Sequence, residues 1–430
     1  MLTREQNELL CRVEGDAPMG GIMRRHWLPA CMSEEVAERD GTPVRSRLLG
    51  ENLVVFRDSD GRLGVLSEYC LHRRASLVFG RNEECGLRCL YHGWKFDVEG
   101  NVVDMPSEAP GAAQRLGKKT RAYPGRESGG FIWIWMGPPE EMREFEPPAW
   151  APQPGIRYAI VKMWTECNWA QVLEGSIDSA HSSTLHSTNM PAAQDVYGST
   201  ATDEAWLRPS NDKAPRLQFE ATPYGFRYAA IRQPIKNPET HQYVRTTLFI
   251  APFTVLIPPN NRYNLAQMLV PIDDVNTMFY WIAWHPDPAK GITQDAWRKF
   301  CAAELGVDID QNYRRKRTLA NNFLQDREAM KRGEWTGIKG IPAQDMAMWE
   351  SMGPITDRSE DHFGSSDLAV AQFRRMMVAA AKKYADGGPA IGTTEHVAHV
   401  KLASFEGVVP MSVDWRTLGV PGAEAPVTAK

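Results

Sequence analysis

Two short stretches pair a thiol with an imidazole. Cys70-Leu-His72 and Cys89-Leu-Tyr-His92 stand with sixteen residues between them. A [2Fe-2S] centre that takes two thiolates on one iron and two imidazoles on the other needs this mixed donor set. Cys70 and Cys89 would hold one iron, His72 and His92 the other. Neutral imidazoles keep negative charge off the cluster and raise its potential, which suits a relay that accepts electrons. A structural Cys2His2 zinc site is the plainer reading, but such sites usually space their cysteines two to four residues apart. Here each Cys is paired with a His instead, and unrelated core residues are the remaining alternative. Cys11, Cys31, Cys85, Cys167 and Cys301 have no such partner spacing and read as buried structural thiols.

A second constellation lies in NWAQVLEGSIDSAHSSTLHS, residues 168–187, which carries Glu174, Asp178, His181 and His186. Glu174, Asp178 and His181 fall at i, i+4 and i+7, one face of a helix expected over about 167–181. His186 breaks that rule, because five residues of ideal helix carry it roughly 140° around from His181. The helix must therefore loosen or end between them, and Ser182, Ser183 and Thr184, which compete for backbone hydrogen bonds, favour the break. Two histidines and one carboxylate on one face of a metal are how non-haem Fe(II) oxygenases bind it, with positions left open for O2. The third ligand is not local. Asp326 in NNFLQDREAM and Asp345 in IPAQDMAMWESMG both qualify by residue type, and both also read as helix surface.

CLHRRASL and CLYHGWKF resemble the two ligand boxes of Rieske ring-hydroxylating oxygenases. Quinol-oxidising Rieske proteins carry an extra disulfide-forming cysteine in each box, and Ala75 and Tyr91 stand at those places here. Longer stretches, PMGGIMRRHWLPA, VRSRLLGENLVVFRD and YGFRYAAIRQP, are similar to the phthalate dioxygenase branch. The resemblance implies an α+β chain, an N-terminal all-β Rieske [2Fe-2S] domain before a helix-grip-like catalytic domain with an antiparallel sheet and helices. It implies His181 and His186 as ligands of a mononuclear Fe(II), and Asp178 as the carboxylate linking the two metal centres of neighbouring subunits. Glu174 would serve a local hydrogen-bond network. Asp345 is preferred to Asp326 because its surroundings resemble the QD-x-x-x-W-E stretch of related enzymes. The family further implies a homo-oligomer of head-to-tail trimers, single or paired, whose closed ring brings one subunit's cluster to the next subunit's iron. Electrons would come from NAD(P)H through a flavin and iron-sulfur reductase, and pass by His92 and Asp178. With O2 as co-substrate, the expected product is an arene cis-dihydrodiol from an aromatic carboxylate of the phthalate, isophthalate or substituted benzoate type. Monooxygenation and O-demethylation use the same ligands and stand as the alternative.

A carboxylate buried against an apolar ring pocket needs a cationic donor. Arg208 in AWLRPS and Arg245 in QYVRTTLF are the candidates, with Ser179 adding a hydrogen bond; each arginine has an ordinary salt-bridged reading beside this one. Arg73 and Arg74 flank a cluster ligand and read as surface ion pairs or as a subunit or reductase contact.

The elements that must position these groups can be read from pattern. Between 40 and 137, VRSRLLG, NLVVFRD, LGVLSEY, KFDVEGNVV and FIWIWMG read as short strands, punctuated by turns at Asp60-Gly61 and Glu99-Gly100. The Pro- and Glu-rich segment 137–155 reads as a connection. Beyond it, strands (FRYAAIRQP, VRTTLFIAPFTVLI, MFYWIAWH) alternate with helices near 167–181, 293–305 and 367–385. The expected divisions are 1–26, a segment packing on the catalytic domain, 27–145, the cluster domain, and 146–430, the catalytic domain.

Composition bounds the rest. The chain has 430 residues, 43% hydrophobic and 24% charged, which suits a folded protein rather than a disordered one. A formal charge of -4 supplies no basic field for nucleic acid. The longest apolar runs, FIWIWMG and LFIAPFTVLI, are far shorter than the ~20 residues that cross a bilayer. Without an export signal, and with seven scattered cysteines, a cytoplasmic protein without disulfides is expected. A stand-alone Rieske electron carrier is the rival class, but it explains only Cys70, His72, Cys89 and His92.

Overall fold

The structure, a computed structural model, describes residues 1–151, 155–192, 206–259 and 262–419. The chain forms two units, Val13–Phe145 and Met1–Arg12 together with Glu146–Lys430. Residues 152–154 of the expected connection and 420–430 of the expected catalytic domain lie outside the described residues. The expected segment 1–26 is divided. Residues 1–12 join the larger unit, whereas Met19, Ile22 and Met23 of the helix Pro18–Met23 are fully buried in the smaller one.

The smaller unit contains three antiparallel sheets. Trp27–Met32 pairs with Phe131–Trp135, which also pairs with Gly125–Ser128; Val44–Leu48, Glu51–Arg57 and Leu63–Ser67 form the second; Arg81–Glu83, Gly86–Arg88, Lys95–Phe96 and Val102–Asp104 form the third. The expected turns are made by the same device. Asp58 accepts hydrogen bonds from the backbone N–H groups of Asp60 and Arg62, at 3.1 and 2.8 Å, and Asp97 accepts from those of Glu99 and Asn101, at 3.0 and 2.8 Å. Each turn thus spends its aspartate locally and reverses the chain between two strands.

The larger unit is built on one antiparallel sheet. Its strands run in the order Arg157–Thr165, Thr277–His285, Asn264–Pro271, Thr254–Ile257, His241–Ile250, Gly225–Arg232 and Arg216–Thr222, and Phe405–Pro410 also pairs with His241–Ile250. The run LFIAPFTVLI is not one strand. The chain reverses at Ala251–Phe253, so that Ile250 faces Thr254 across a hairpin. Pro252 has no N–H to give to a ladder, and the turn is where that costs least. Helices Gln294–Phe300 and Leu368–Ala385 form near their expected places. The latter meets the helix Arg4–Cys11, and its Phe373 touches Trp169 and Phe249 at ring distances of 5.9 and 5.3 Å. The mixed α+β architecture agrees with the expectation.

Candidate metal centres and substrate pocket

In the smaller unit the two thiol–imidazole stretches form matching loops. The Cys70 N–H donates to the Ala75 carbonyl at 2.9 Å, and the Cys70 carbonyl accepts from the Arg74 N–H at 3.0 Å. In the second loop the Cys89 N–H donates to the Trp94 carbonyl at 2.8 Å, and the Cys89 carbonyl accepts from the Gly93 N–H at 3.0 Å. Both loops turn on a positive φ, +63° at Arg74 and +78° at Gly93. Cys70 and Cys89 are buried over Leu66, Leu77, Leu87 and Phe96, with their thiols within hydrogen-bonding reach of each other. The His72 and His92 rings lie 4.4 Å apart, and Trp94 stacks on His72 at 4.8 Å.

Electrostatics suits a mixed thiolate–imidazole centre. Burial pushes the Cys70 thiol up to about 11, so an apolar pocket holds it protonated until a metal displaces the proton. Desolvation, then His72 and Arg73, lower the His92 pKa and favour neutral imidazole. The buried Nδ1 of His72 has no hydrogen-bond partner among the described residues. An orphaned ring nitrogen beside a second imidazole and two buried thiols is what a cluster would satisfy, so these residues fit a [2Fe-2S] group. The loop tips leave Leu71, Leu90, Tyr91 and Arg73 exposed, with the Arg73 guanidinium over the Tyr91 ring at 5.3 Å. Of the other five cysteines, all free thiols, Cys85 departs from expectation. It is only partly buried, in a tight turn with φ +56°, whereas Cys11, Cys31, Cys167 and Cys301 are buried.

In the larger unit the helix expected over about 167–181 spans only Trp169–Ser176. Asn168 starts it by accepting from the Ala170 N–H at 3.0 Å, and the Ser176 hydroxyl donates to the Val172 carbonyl at 2.9 Å in its last turn. Asp178 and His181 therefore lie beyond the helix rather than on a face shared with Glu174. Asp178 instead accepts from the Ala180 N–H at 2.7 Å and bends the chain, and His181–Ser183 forms a single 3-10 turn. Glu174 points elsewhere, to buried Arg358 and Arg374 at 2.7 and 2.8 Å. These charges anchor the helix, because removing one partner of a buried pair typically costs about 3–5 kcal/mol.

Asp345 comes from the helix Ile341–Ser351. Its Oδ1 lies 3.0 Å from Nε2 of His186 and 3.5 Å from Nε2 of His181, and the three ligand atoms all fall within 4.8 Å of one another. The approach of the two helices depends on Gly175. A Cβ there would stand 2.0 Å from Nε1 of Trp349, so any larger residue would force Trp349, on the same helix as Asp345, to shift. The far ring nitrogens face acceptors: Nδ1 of His181 lies 3.5 Å from Asp178, and Nδ1 of His186 lies 2.7 Å from Oε1 of Gln344. Burial pushes the Asp178 pKa up, but the hydrogen bond and charge of His181 and the N–H groups of Ala180 and His181 outweigh it and leave it lowered. Nitrogen, nitrogen and oxygen donors converging on one point, with His186 hydrogen-bonded from behind and a carboxylate 3.5 Å behind His181, fit a divalent iron. Asp326 is not part of this site. It caps the short helix Arg327–Lys331, accepting from the Ala329 N–H at 2.8 Å.

The three ligand candidates line one pocket, together with Ser179, Met190, Trp206, Arg208, Arg245, Trp281 and Trp349 among others. Arg208 and Arg245, both expected here, differ in state. Arg245 is ion-paired with Glu406, and its NH1 donates to the Tyr243 hydroxyl at 3.1 Å. Arg208 bonds to the hydroxyls of Ser182 and Ser183 at 2.8 and 3.2 Å, and no carboxylate among the described residues lies within ion-pair distance of it. Burial, then Arg245, push the Arg208 guanidinium down to about 9, so an anion in the pocket would relieve the strain on its charge. Ser179 is held by Arg232, whose NH2 donates to the Ser179 carbonyl at 2.8 Å. Arg232, Gln344 and Glu406 escaped the sequence reading. Gln344 stands beside Asp345 in the quoted QD pair, but nothing in the pattern aims it at His186; Glu406 lies 161 residues from Arg245 and leaves no local signal.

Comparison with known proteins places these features. Residues 26–124 match the Rieske [2Fe-2S] domain family, and residues 134–429 match the LigXa C-terminal domain like family. The chain is 58% identical to the phthalate 4,5-dioxygenase oxygenase subunit of Pseudomonas putida, covering 97% of this chain and 94% of that one. It is 36% identical to the 3-chlorobenzoate-3,4-dioxygenase oxygenase subunit of Comamonas testosteroni, covering 97% and 98%. Its fold resembles that of dicamba monooxygenase bound to dicamba, with a TM-score of 0.58 at 18% identity over 84% of this chain and 98% of that one. The chain belongs to the Rieske non-haem iron ring-hydroxylating oxygenases, as an oxygenase alpha subunit of the phthalate dioxygenase branch.

Proposed function

We propose that this enzyme dihydroxylates an aromatic carboxylate to a cis-dihydrodiol. The observation that carries the reading is the pocket itself, where three ligand atoms within 4.8 Å of one another share the lining with an arginine that has no acidic partner among the described residues. Cys70, His72, Cys89 and His92 would hold the [2Fe-2S] cluster, and His181, His186 and Asp345 the iron. Bound there, the two groups supply electron storage and the activation of O2.

The chain's own work is positioning. Arg208 takes the substrate carboxylate, oriented by Ser182 and Ser183, in a burial that makes a charge-assisted hydrogen bond worth more than in water. Arg245, already neutralised by Glu406, shapes the far wall. Trp206, Trp281 and Trp349 line the pocket with aromatic faces against which a ring can pack and exclude water. Asp178 lies 3.5 Å from Nδ1 of His181 and is placed to pass electrons or a proton toward that ligand. Ser179, one of several further hydroxyls of the pocket lining, adds a hydrogen bond.

The 58% identical relative is named for phthalate, and the 36% identical one for 3-chlorobenzoate. Both names denote aromatic carboxylates, which agrees with an Arg208 that has no acidic partner among the described residues. A flavin and iron-sulfur reductase drawing on NAD(P)H would feed the cluster, in a cytoplasmic homotrimer or pair of trimers. No helix among the described residues is long and apolar enough to cross a membrane.

The test is NADH and O2 consumption with reductase and a panel of phthalate, isophthalate, chlorobenzoate, phenoxybenzoate, neutral arenes and methoxyaromatics. Acids should be preferred and should give dihydrodiols. Arg208→Ala should lower apparent affinity for acids about 10- to 100-fold, the loss of one charge-assisted hydrogen bond. Equal turnover of neutral arenes, or a wild-type response from Arg208→Ala, would refute the carboxylate reading; formaldehyde release from methoxyaromatics would point to O-demethylation.

A further inference from the structure

Gln344 makes three hydrogen bonds whose directions are not free. Its Nε2 lies 2.9 Å from the Ile338 carbonyl oxygen and 3.0 Å from Oδ1 of Asn189, and its Oε1 lies 2.7 Å from Nδ1 of His186. Gln344, His186 and Asp345 are all buried. A main-chain carbonyl can only accept, so the Ile338 oxygen requires the amide nitrogen, not the amide oxygen, on its side. Flipping the amide would bring two oxygens together and leave both without a proton. Oε1 must therefore face His186, and an oxygen at 2.7 Å can only accept, so Nδ1 must carry the proton. A neutral imidazole protonated at Nδ1 has its lone pair at Nε2, and Nε2 of His186 is the atom 3.0 Å from Asp345.

We propose that Gln344 is a positioning residue that selects the tautomer and ring orientation of His186, so that Nε2 is presented to the metal before metal arrives. This rests on the reading of His181, His186 and Asp345 as the iron site. The neighbouring ligand is backed differently. His181 faces the Asp178 carboxylate at 3.5 Å, a looser and charged contact, whereas His186 is held by a neutral amide locked at both ends. Asn189 adds a second tie. Its side chain holds the Gln344 amide, while its main-chain carbonyl accepts from the N–H of Trp206, a residue of the pocket wall. The orientation of His186 is thus built into the same stretch of chain that shapes the substrate pocket.

The test uses full-length, cluster-loaded protein depleted of mononuclear iron. The 15N spectrum of labelled histidines, with His186 assigned by its loss in His186→Gln, reads the tautomer directly, and competition with a chromophoric Fe(II) chelator reads affinity. Wild type should show Nδ1 protonated. Gln344→Met, similar in size but without the acceptor, should give mixed tautomers and about 10- to 100-fold weaker Fe(II) binding with unchanged Rieske absorbance, the range typical of losing such a partner. A wild-type His186 without a proton on Nδ1, or a Gln344→Met protein with wild-type tautomer and affinity, would overturn the proposal. Should Gln344→Met not fold, the wild-type spectrum decides it. Wild-type protein that binds no mononuclear iron would instead overturn the functional reading itself.

Discussion

The two candidate metal centres are assembled by opposite means. Each cluster loop is closed by its own backbone, with Cys70 bonded to Ala75 and Arg74 and Cys89 to Trp94 and Gly93, so ligand spacing along the chain nearly defines ligand spacing in space. The iron site draws His181 and His186 from a turn after one helix and Asp345 from another helix about 160 residues later, and its geometry depends on how closely those helices approach. A loop that closes locally tolerates change elsewhere. A site made by helix packing inherits every displacement of the helices, because close-packed interiors transmit rather than absorb a misfit.

The sharpest way to test that contrast is Asp345→Ala. It should abolish mononuclear iron binding and turnover while leaving the Rieske absorbance intact, and metal analysis should fall from three irons per chain to two. Asp326→Ala, which removes only a helix cap, should retain all three; the opposite pattern would move the ligand to Asp326. Next in size, His92→Cys should lower the cluster potential by on the order of 100 mV or more, since thiolate replaces neutral imidazole. Iron occupancy at His181, His186 and Asp345 should not change, and an unchanged potential would remove His92 from the cluster. The smallest effect should come from Gly175→Ala, where the methyl group meets Trp349. Overpacking of this kind costs about 1–3 kcal/mol, so stability should fall modestly and Fe(II) affinity severalfold, with the cluster spectrum unaltered. Wild-type affinity in Gly175→Ala would show that the helices do not set the ligand distance.

The mixed Cys and His spacing, the turns at Asp60-Gly61 and Glu99-Gly100 and the strand FIWIWMG were legible because each depends on residues a few positions apart, whereas LFIAPFTVLI, expected as one strand, reverses at Ala251–Phe253. The same local logic misjudged the iron segment. Periodicity placed Asp178 and His181 on a helical face, yet the chain leaves the helix at Ser176, where serine and then aspartate bond to nearby backbone instead of continuing it. The need for a break before His186 was readable, but not where it falls.

Residue types and local spacing by themselves determined that this chain has a place for a mixed-ligand iron-sulfur cluster and two histidines near an acid, since backbone hydrogen bonds within a few residues carry that information. Which distant carboxylate meets those histidines, which of Arg208 and Arg245 has an acidic partner among the described residues, and which amide faces His186 were decided only by tertiary structure. Asp345, Glu406 and Gln344 reach their partners across roughly 160 residues of chain, and only the packing of helices on the sheet fixes such pairings. Helical or strand periodicity tells which side of an element a residue occupies; it says nothing about what the fold will place opposite it.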